Sequence, residues 1–525
     1  MKSFADNLKD IKSYGQNPDI LRKPVFRGSA IFPVIKNDVC TSRILFMGYW
    51  KLKRGINEIG LLVTLRSEEG DILLRKNTMV NDIKAYRVEL DDLLSECKLP
   101  VDVFTGSIEM EVFSSRDLVF PFPAFVLNYY GKDFSSTVHS VGRIYNDIED
   151  MTDNSSASVP ETGFDIYPGS NYDPFFSVTN GQYENNNVFI EYKITNVDGN
   201  SVQGRAEFGR FIPYQTKIFK INEFVDIGIL GGAKGSISIS HNFEGIFPRW
   251  VAGNMVKTGQ VNMTHTYYDL TGQNSEKDYW ATVDKKFHDI SIAFPVFMSN
   301  ELYSEIVFYP IYSDCEFDVD FIFYDKDGNT VYKEINAETV STSTNKHYYI
   351  NFNELLDGKV AEISGIKSVL ASYKFKGKVP TRLTSGLNVG YKQAVNGIAS
   401  NICFTADPGN KRLLKKKSSF KWAPIMNVGR SVITVQNRSI LKEYDKSANI
   451  KITIVNEKSG SILERTETIP PNGTYTLDTD IDDELKIFLD DRTGWVAIES
   501  DAPYVNSWYF DFNESSGIIA GDHSF

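Results

Sequence analysis

Four glycine-centred turns recur along this chain at an interval of about 130 residues, and that interval limits the possible folds more than any other feature. They are Glu69-Gly70, Asp198-Gly199, Asp327-Gly328 and Ser459-Gly460, with glycine steps of 129, 129 and 132 (199 − 70, 328 − 199, 460 − 328). A residue-glycine pair between alternating apolar runs is the strongest short-range signal for a tight β-hairpin. Each turn follows such a run: LLVTL at 61–65, VFIEYKI at 188–194, FDVDFIF at 317–323 and IKITIV at 450–455. Alternation of this kind buries one face of a strand.

Three further features travel with the turns. A short strand runs into an acidic-apolar corner in VELDDLL (88–94), KINEFV (220–225), NFNELL (351–356) and TLDTDI (476–481). A glycine then opens another strand at Gly106, Gly235, Gly365 and Gly494. Each unit closes on a strand that carries a histidine in three copies, His139, His265 and His523, and Cys403 in the third. Solenoid repeats are far shorter, so each copy should hold its own core. Seven or eight short strands with Gly, Asn and Pro turns then point to a β-sandwich.

The expected fold is all-β: four tandem immunoglobulin-like β-sandwich repeats, with packing as two pairs that share continuous cores as the alternative. The reading divides the chain into an N-terminal arm with one short helix (1–30), repeat 1 (31–145), a linker (146–165), and repeats 2 (166–270), 3 (271–408) and 4 (409–525). Composition agrees: 35 Phe and 27 Tyr against 9 Met favour strands, and 42% apolar with 24% charged residues is globular. A net charge of −12 argues against a broad nucleic-acid-binding face. The four cysteines have no C-x-x-C spacing and read as buried thiols. The N-terminus lacks the apolar segment of a Sec signal peptide, and no run approaches the roughly 18 apolar residues of a membrane span. The expected location is cytoplasmic, virion-associated or reached by a non-Sec route.

No nucleophile elbow, H-E-x-x-H or P-loop is present, and GILGGAKGS at 228–236 runs into a strand pattern rather than a helix. The chain therefore reads as a non-enzyme without a cofactor. Strand alternation would place His265, Tyr267 and Asp269 on one face, where imidazole, phenol and carboxylate could meet a cation or a sugar. His139, Arg143 and Tyr145 share a parity in the first copy. The competing reading is that the recurrent strand-end histidine satisfies a backbone group. Asp478, Asp480 and Asp482 are oxygen-rich at alternate positions but lack the frame of a calcium loop. The basic run at 411–417 reads as a solvated linker.

Repetition without a catalytic motif points to a structural or interaction protein whose sandwich loops meet a protein or surface, as in a virion appendage or cell-surface assembly, with room for an oligomer. A carbohydrate-binding or polysaccharide-accessory protein is the alternative, using the aromatics of FPRW, WYFDF and HTYYD. A glycan-active enzyme ranks third, since no spacing identifies a carboxylate pair.

Overall fold

A computed structural model describes residues 26–139, 161–268, 276–280, 289–408 and 415–525, apart from 100, 117, 119–123, 163, 246–249, 345, 440, 442, 443 and 459. The expected arm helix, most of the 146–165 linker and of the basic run at 411–417, and Ser459 of the fourth turn lie outside these residues. The described residues form eight antiparallel sheets, two per repeat. In the first unit one sheet has the order Phe26–Lys36, Phe104–Ser114, Ile59–Ser67, Ile72–Val80. The other has Ala85–Glu89, Thr41–Met47, Val126–Tyr130, Ser135–His139. In order of sequence these are strands 1-6-3-4 and 5-2-7-8, and the other three units repeat that pairing. Two-residue strands lengthen one sheet in each of the second and third units.

The sequence anchors have local physical causes. The third and fourth strands pair as hairpins through the turns, and Gly70, Gly199, Gly328 and Gly460 all have positive φ. The acidic-apolar corners run into a short helix after the fifth strand, Leu90–Glu96, Ile221–Glu223 and Phe352–Leu355, and in the fourth unit TLDTDI ends that strand just ahead of the helix Asp483–Leu489. Asn351 and Asp482 cap two of them by accepting backbone N–H groups, while Leu90, Ile221, Phe352 and Leu485 are buried. Glycines 106, 235 and 494 open the sixth strand where a Cβ would meet the third strand's terminal carbonyls. Gly365 has open space, and there the strand starts later, at Ser368.

Strand residues Glu161–Thr162 and Asp165–Ile166, in the segment whose composition suggests a linker, pair with the sixth strand of the second sandwich. That sandwich therefore draws on residues before 166.

The four units close into a ring. Each third-to-fourth-strand turn packs on the turn before the fifth strand of the next unit. Thr216 N–H donates to Glu68 O at 2.8 Å, His347 N–H to Asn196 O at 2.9 Å, and Thr474 N–H to Lys326 O at 2.9 Å. The fourth unit returns to the first: Gly460 lies against Lys84, and Glu457 pairs with Arg87 at 2.9 Å. A head-to-tail contact that repeats until it closes is the geometry of a cyclic oligomer, here within one chain.

The apolar cores follow this ring rather than two pairs. The core of the first unit runs into the fourth, where Tyr49 stacks on Trp422 at 4.9 Å. The other side of the fourth joins the third: Phe297 packs edge-on against Phe510 and Phe512, at 4.8 and 5.1 Å, and Phe404 against Trp508 at 5.9 Å. The second unit has a core of its own around Phe176 and Trp250, and its other face, with Tyr167, Phe175, Val251 and Met263, joins the core that the first and fourth units share. Buried aromatics of this size contribute about 2–3 kcal/mol each, so these seams are structural contacts rather than incidental ones.

Candidate functional site: the axial histidine cluster

The closing strands Ser135–His139, Val261–His265, Ser400–Thr405 and Ile518–His523 lie side by side at the centre of the ring, each next to those of two other units. Ile398 and Ile518 form a parallel bridge, which sets the third and fourth closing segments in one direction. Asn262 is the hub. Its Oδ1 accepts from Ser136 Oγ of the first unit at 3.1 Å, while its Nδ2 donates to Ala399 O of the third unit and Ile519 O of the fourth, the latter at 3.1 Å. One buried carboxamide thus ties all four units, because three strands present backbone or hydroxyl groups that water cannot reach.

At the C-terminal end of these strands three imidazoles gather. His139 and His265 meet edge to face with centroids 5.0 Å apart, and His139 and His523 are 4.6 Å apart. Asp522 lies between the first and fourth units. Its Oδ2 accepts from His139 Nδ1 at 2.6 Å and from the His139 backbone N–H at 3.1 Å, and Oδ1 accepts from His523 N–H at 2.8 Å. His265 Nδ1 faces Thr266 O at 2.9 Å and His523 Nδ1 faces Ser524 O at 3.1 Å. A ring nitrogen facing a carbonyl must carry the proton, which leaves Nε2 of each as the lone-pair nitrogen. Burial raises the Asp522 carboxyl above its ordinary range, against the pull of His523 and His265, and burial followed by repulsion from His139 lowers His523 to about 4.

Of the residues expected from sequence, His139 and His265 are brought together here, though they come from different repeats. Tyr267 is described only as backbone, and Arg143, Tyr145 and Asp269 lie outside the described residues. The alternation assumed from His265 to Asp269 passes through a change of sheet. Val261–His265 pairs with Val251–Val256, whereas Tyr267–Tyr268 pairs with Glu161–Thr162 in the opposite sheet. Asp522 was missed, although it directly precedes His523; its partner lies 383 positions away. Cys403 packs with Val307 and Tyr309 instead of joining the imidazoles.

The Asp478–Asp482 segment is engaged locally. Asp478 accepts from Arg430 through both oxygens, Asp482 pairs with Arg465 and caps the helix at Leu485, and the Asp480 N–H donates to Asp478. Trp250 and Trp508, from two of the aromatic clusters, are buried in cores and unavailable for stacking on sugars. Asn262, Asn437 and Asn513, each at the head of an N-x-S/T sequence, are likewise buried.

A second buried charge cluster joins the second and third units. Lys234 pairs with Glu305, and Asn388 donates to both Asp165 and Glu305. His347 Nε2 lies 3.6 Å from Asp165 Oδ1. Burial raises Asp165 to about 6; burial, with Lys234 adding to it, lowers His347 to about 3. Its carboxylates are matched by Lys234 and a carboxamide, which suits a locked junction rather than acid-base work. Among the described residues no nucleophile-base pair stands beside a cleft, and no helix is long and apolar enough to cross a membrane. Comparison with models of known families and with curated protein sequences gave no match.

Proposed function

We propose that this chain is a non-catalytic scaffold, a single-chain ring of β-sandwiches that holds loops of its units in a fixed arrangement for a protein or surface partner. The observation that carries this reading is the cyclic closure. The same hairpin-to-turn backbone contact is made at three junctions, and at the fourth the hairpin meets the equivalent turn of the first unit through Arg87–Glu457 and Gly460–Lys84. Closing a chain over this span costs loop entropy, which only extensive junctions offset, and the result is a rigid platform. The buried polar groups are spent on junctions rather than directed into a cleft.

Native gel separation of extracts from the source material, with the protein tagged on its own gene, tests the reading. The expected result is an assembly larger than the 59.4 kDa chain, in fixed ratio to one partner, while the purified protein leaves a panel of oligosaccharides, phosphoesters and peptides unchanged. A free 59.4 kDa species together with turnover of any member of the panel would contradict it.

A further inference from the structure

The junction between the fourth and first units differs from the other three, because among the described residues no stretch of chain crosses it. His139 belongs to the first unit and Asp522 and His523 to the fourth, so the axial cluster spans that seam. We propose that His139, Asp522 and His523 form a binding site for one divalent transition-metal ion of the zinc type, which clamps the ends of the ring together.

The chemistry of the donor set supports this. One ligand atom from each of the three residues lies within 4.8 Å of the other two. Tetrahedral zinc with bonds of about 2.0–2.2 Å places its ligands about 3.3 Å apart. His139 Nδ1 and Asp522 Oδ2, 2.6 Å apart across a hydrogen bond, open to that separation as the ion displaces the proton between them to solvent, and the remaining donor separations close by about 1.5 Å or less. Imidazole nitrogen with one carboxylate oxygen selects zinc, cobalt or nickel over magnesium and calcium, which prefer all-oxygen shells. His523 is held by its Nδ1 bond to the Ser524 carbonyl, which fixes the tautomer with Nε2 as ligand. His265, edge-on to His139, and Phe525, whose ring lies 5.6 Å from His139, fix the position of that imidazole. His265 is a positioning residue in this arrangement.

Site and seam reinforce one another energetically. The clamp joins residues 383 positions apart, a span whose closure entropy the rest of the chain must otherwise supply. The ion binds a pair of strands that exists only in the closed ring, so occupancy stabilises closure by mass action.

Untagged protein, stripped with chelator and dialysed, is titrated with Co²⁺ and separately with Zn²⁺. The expected results are a 1:1 Co²⁺ complex with a visible d–d band showing nitrogen ligation, displacement of that band by Zn²⁺, and a rise in Tm of about 2–5 °C at saturating Zn²⁺. His523→Gln and Asp522→Asn, which keep side-chain volume, should each lower affinity at least 10-fold. His347→Gln, outside the cluster, should leave it unchanged. Folding of every variant is checked by circular dichroism. If Asp522→Asn or His523→Gln does not fold, the wild-type Co²⁺ spectrum and pulsed electron paramagnetic resonance for two imidazole nitrogens decide. No Co²⁺ band and no Zn²⁺-dependent Tm shift in folded wild-type protein would overturn the proposal, as would full binding in both substituted proteins. Either failure leaves the scaffold reading standing, since closure also rests on the hairpin junctions.

Discussion

His241 shows how a single buried side chain sets a property of the whole protein. It is 4% exposed, tilted against Trp250 at 4.8 Å, and its Nδ1 accepts the Phe243 N–H at 3.2 Å. Burial alone lowers its pKa to about 4. In the unfolded chain a histidine takes up its proton near 6.5, so between about 6.5 and 4 acid stabilises the unfolded state and folding stability falls. Urea midpoints at pH 7 and pH 4.5 should therefore drop for the wild type and drop less for His241→Phe, by about 2–3 kcal/mol over that interval. Comparing the two proteins isolates His241 from Asp165, whose raised value of about 6 acts in the opposite direction. Equal drops would refute the assignment.

At the scale of elements, what could be read from the sequence and what could not divide along the range of the forces involved. The hairpins were legible because their causes are local: alternation over a few residues, and a glycine where φ is positive. The helical corners were visible as acidic-apolar runs, though not as helices, since Leu90–Glu96 and Phe352–Leu355 are too short to show a helical period. Alternation does not carry unbroken from His265 to Tyr267, because the chain passes into another sheet at Thr266, and Asp269 lies outside the described residues. The junctions were not legible at all. Ser136 and Asn262 have nothing unusual in their neighbourhoods, and they meet only because the units close on one another.

The turn glycines carry both kinds of information, which makes them testable. Gly328 has φ +83°, and a Cβ there would sit 2.1 Å from Pro471 O of the next unit. Gly358 has φ +68° and open space around it. Gly358→Ala should cost only the backbone strain of about 1–2 kcal/mol. Gly328→Ala should cost that plus about 1–3 kcal/mol for forcing the junction apart. Chemical denaturation of the two variants provides the comparison, and equal losses would show that the hairpin does not bear on its neighbour.

For the whole molecule, the ring explains why the first unit shares its core with the fourth and why the third shares its own with the fourth as well. It also explains why buried polar residues line the seams: a carboxamide, an imidazole cluster or an ion pair fixes orientation where apolar packing alone would let one sandwich slide on the next. The closure of the fourth unit on the first is the central claim, and a disulfide can read it directly. A Cβ at Gly460 would lie 3.9 Å from the Cβ of Lys84, within the separation of about 3.5–4.5 Å that a disulfide spans. With Cys97 and Cys315 changed to alanine, the Lys84→Cys/Gly460→Cys protein should oxidise in dilute solution to a monomer of altered mobility on a non-reducing gel. Reduction should restore normal mobility, and peptide mapping should show the cross-link between positions 84 and 460. A chain that stays reduced under oxidant, or that forms only disulfide-linked dimers whose yield rises with concentration, would contradict the ring.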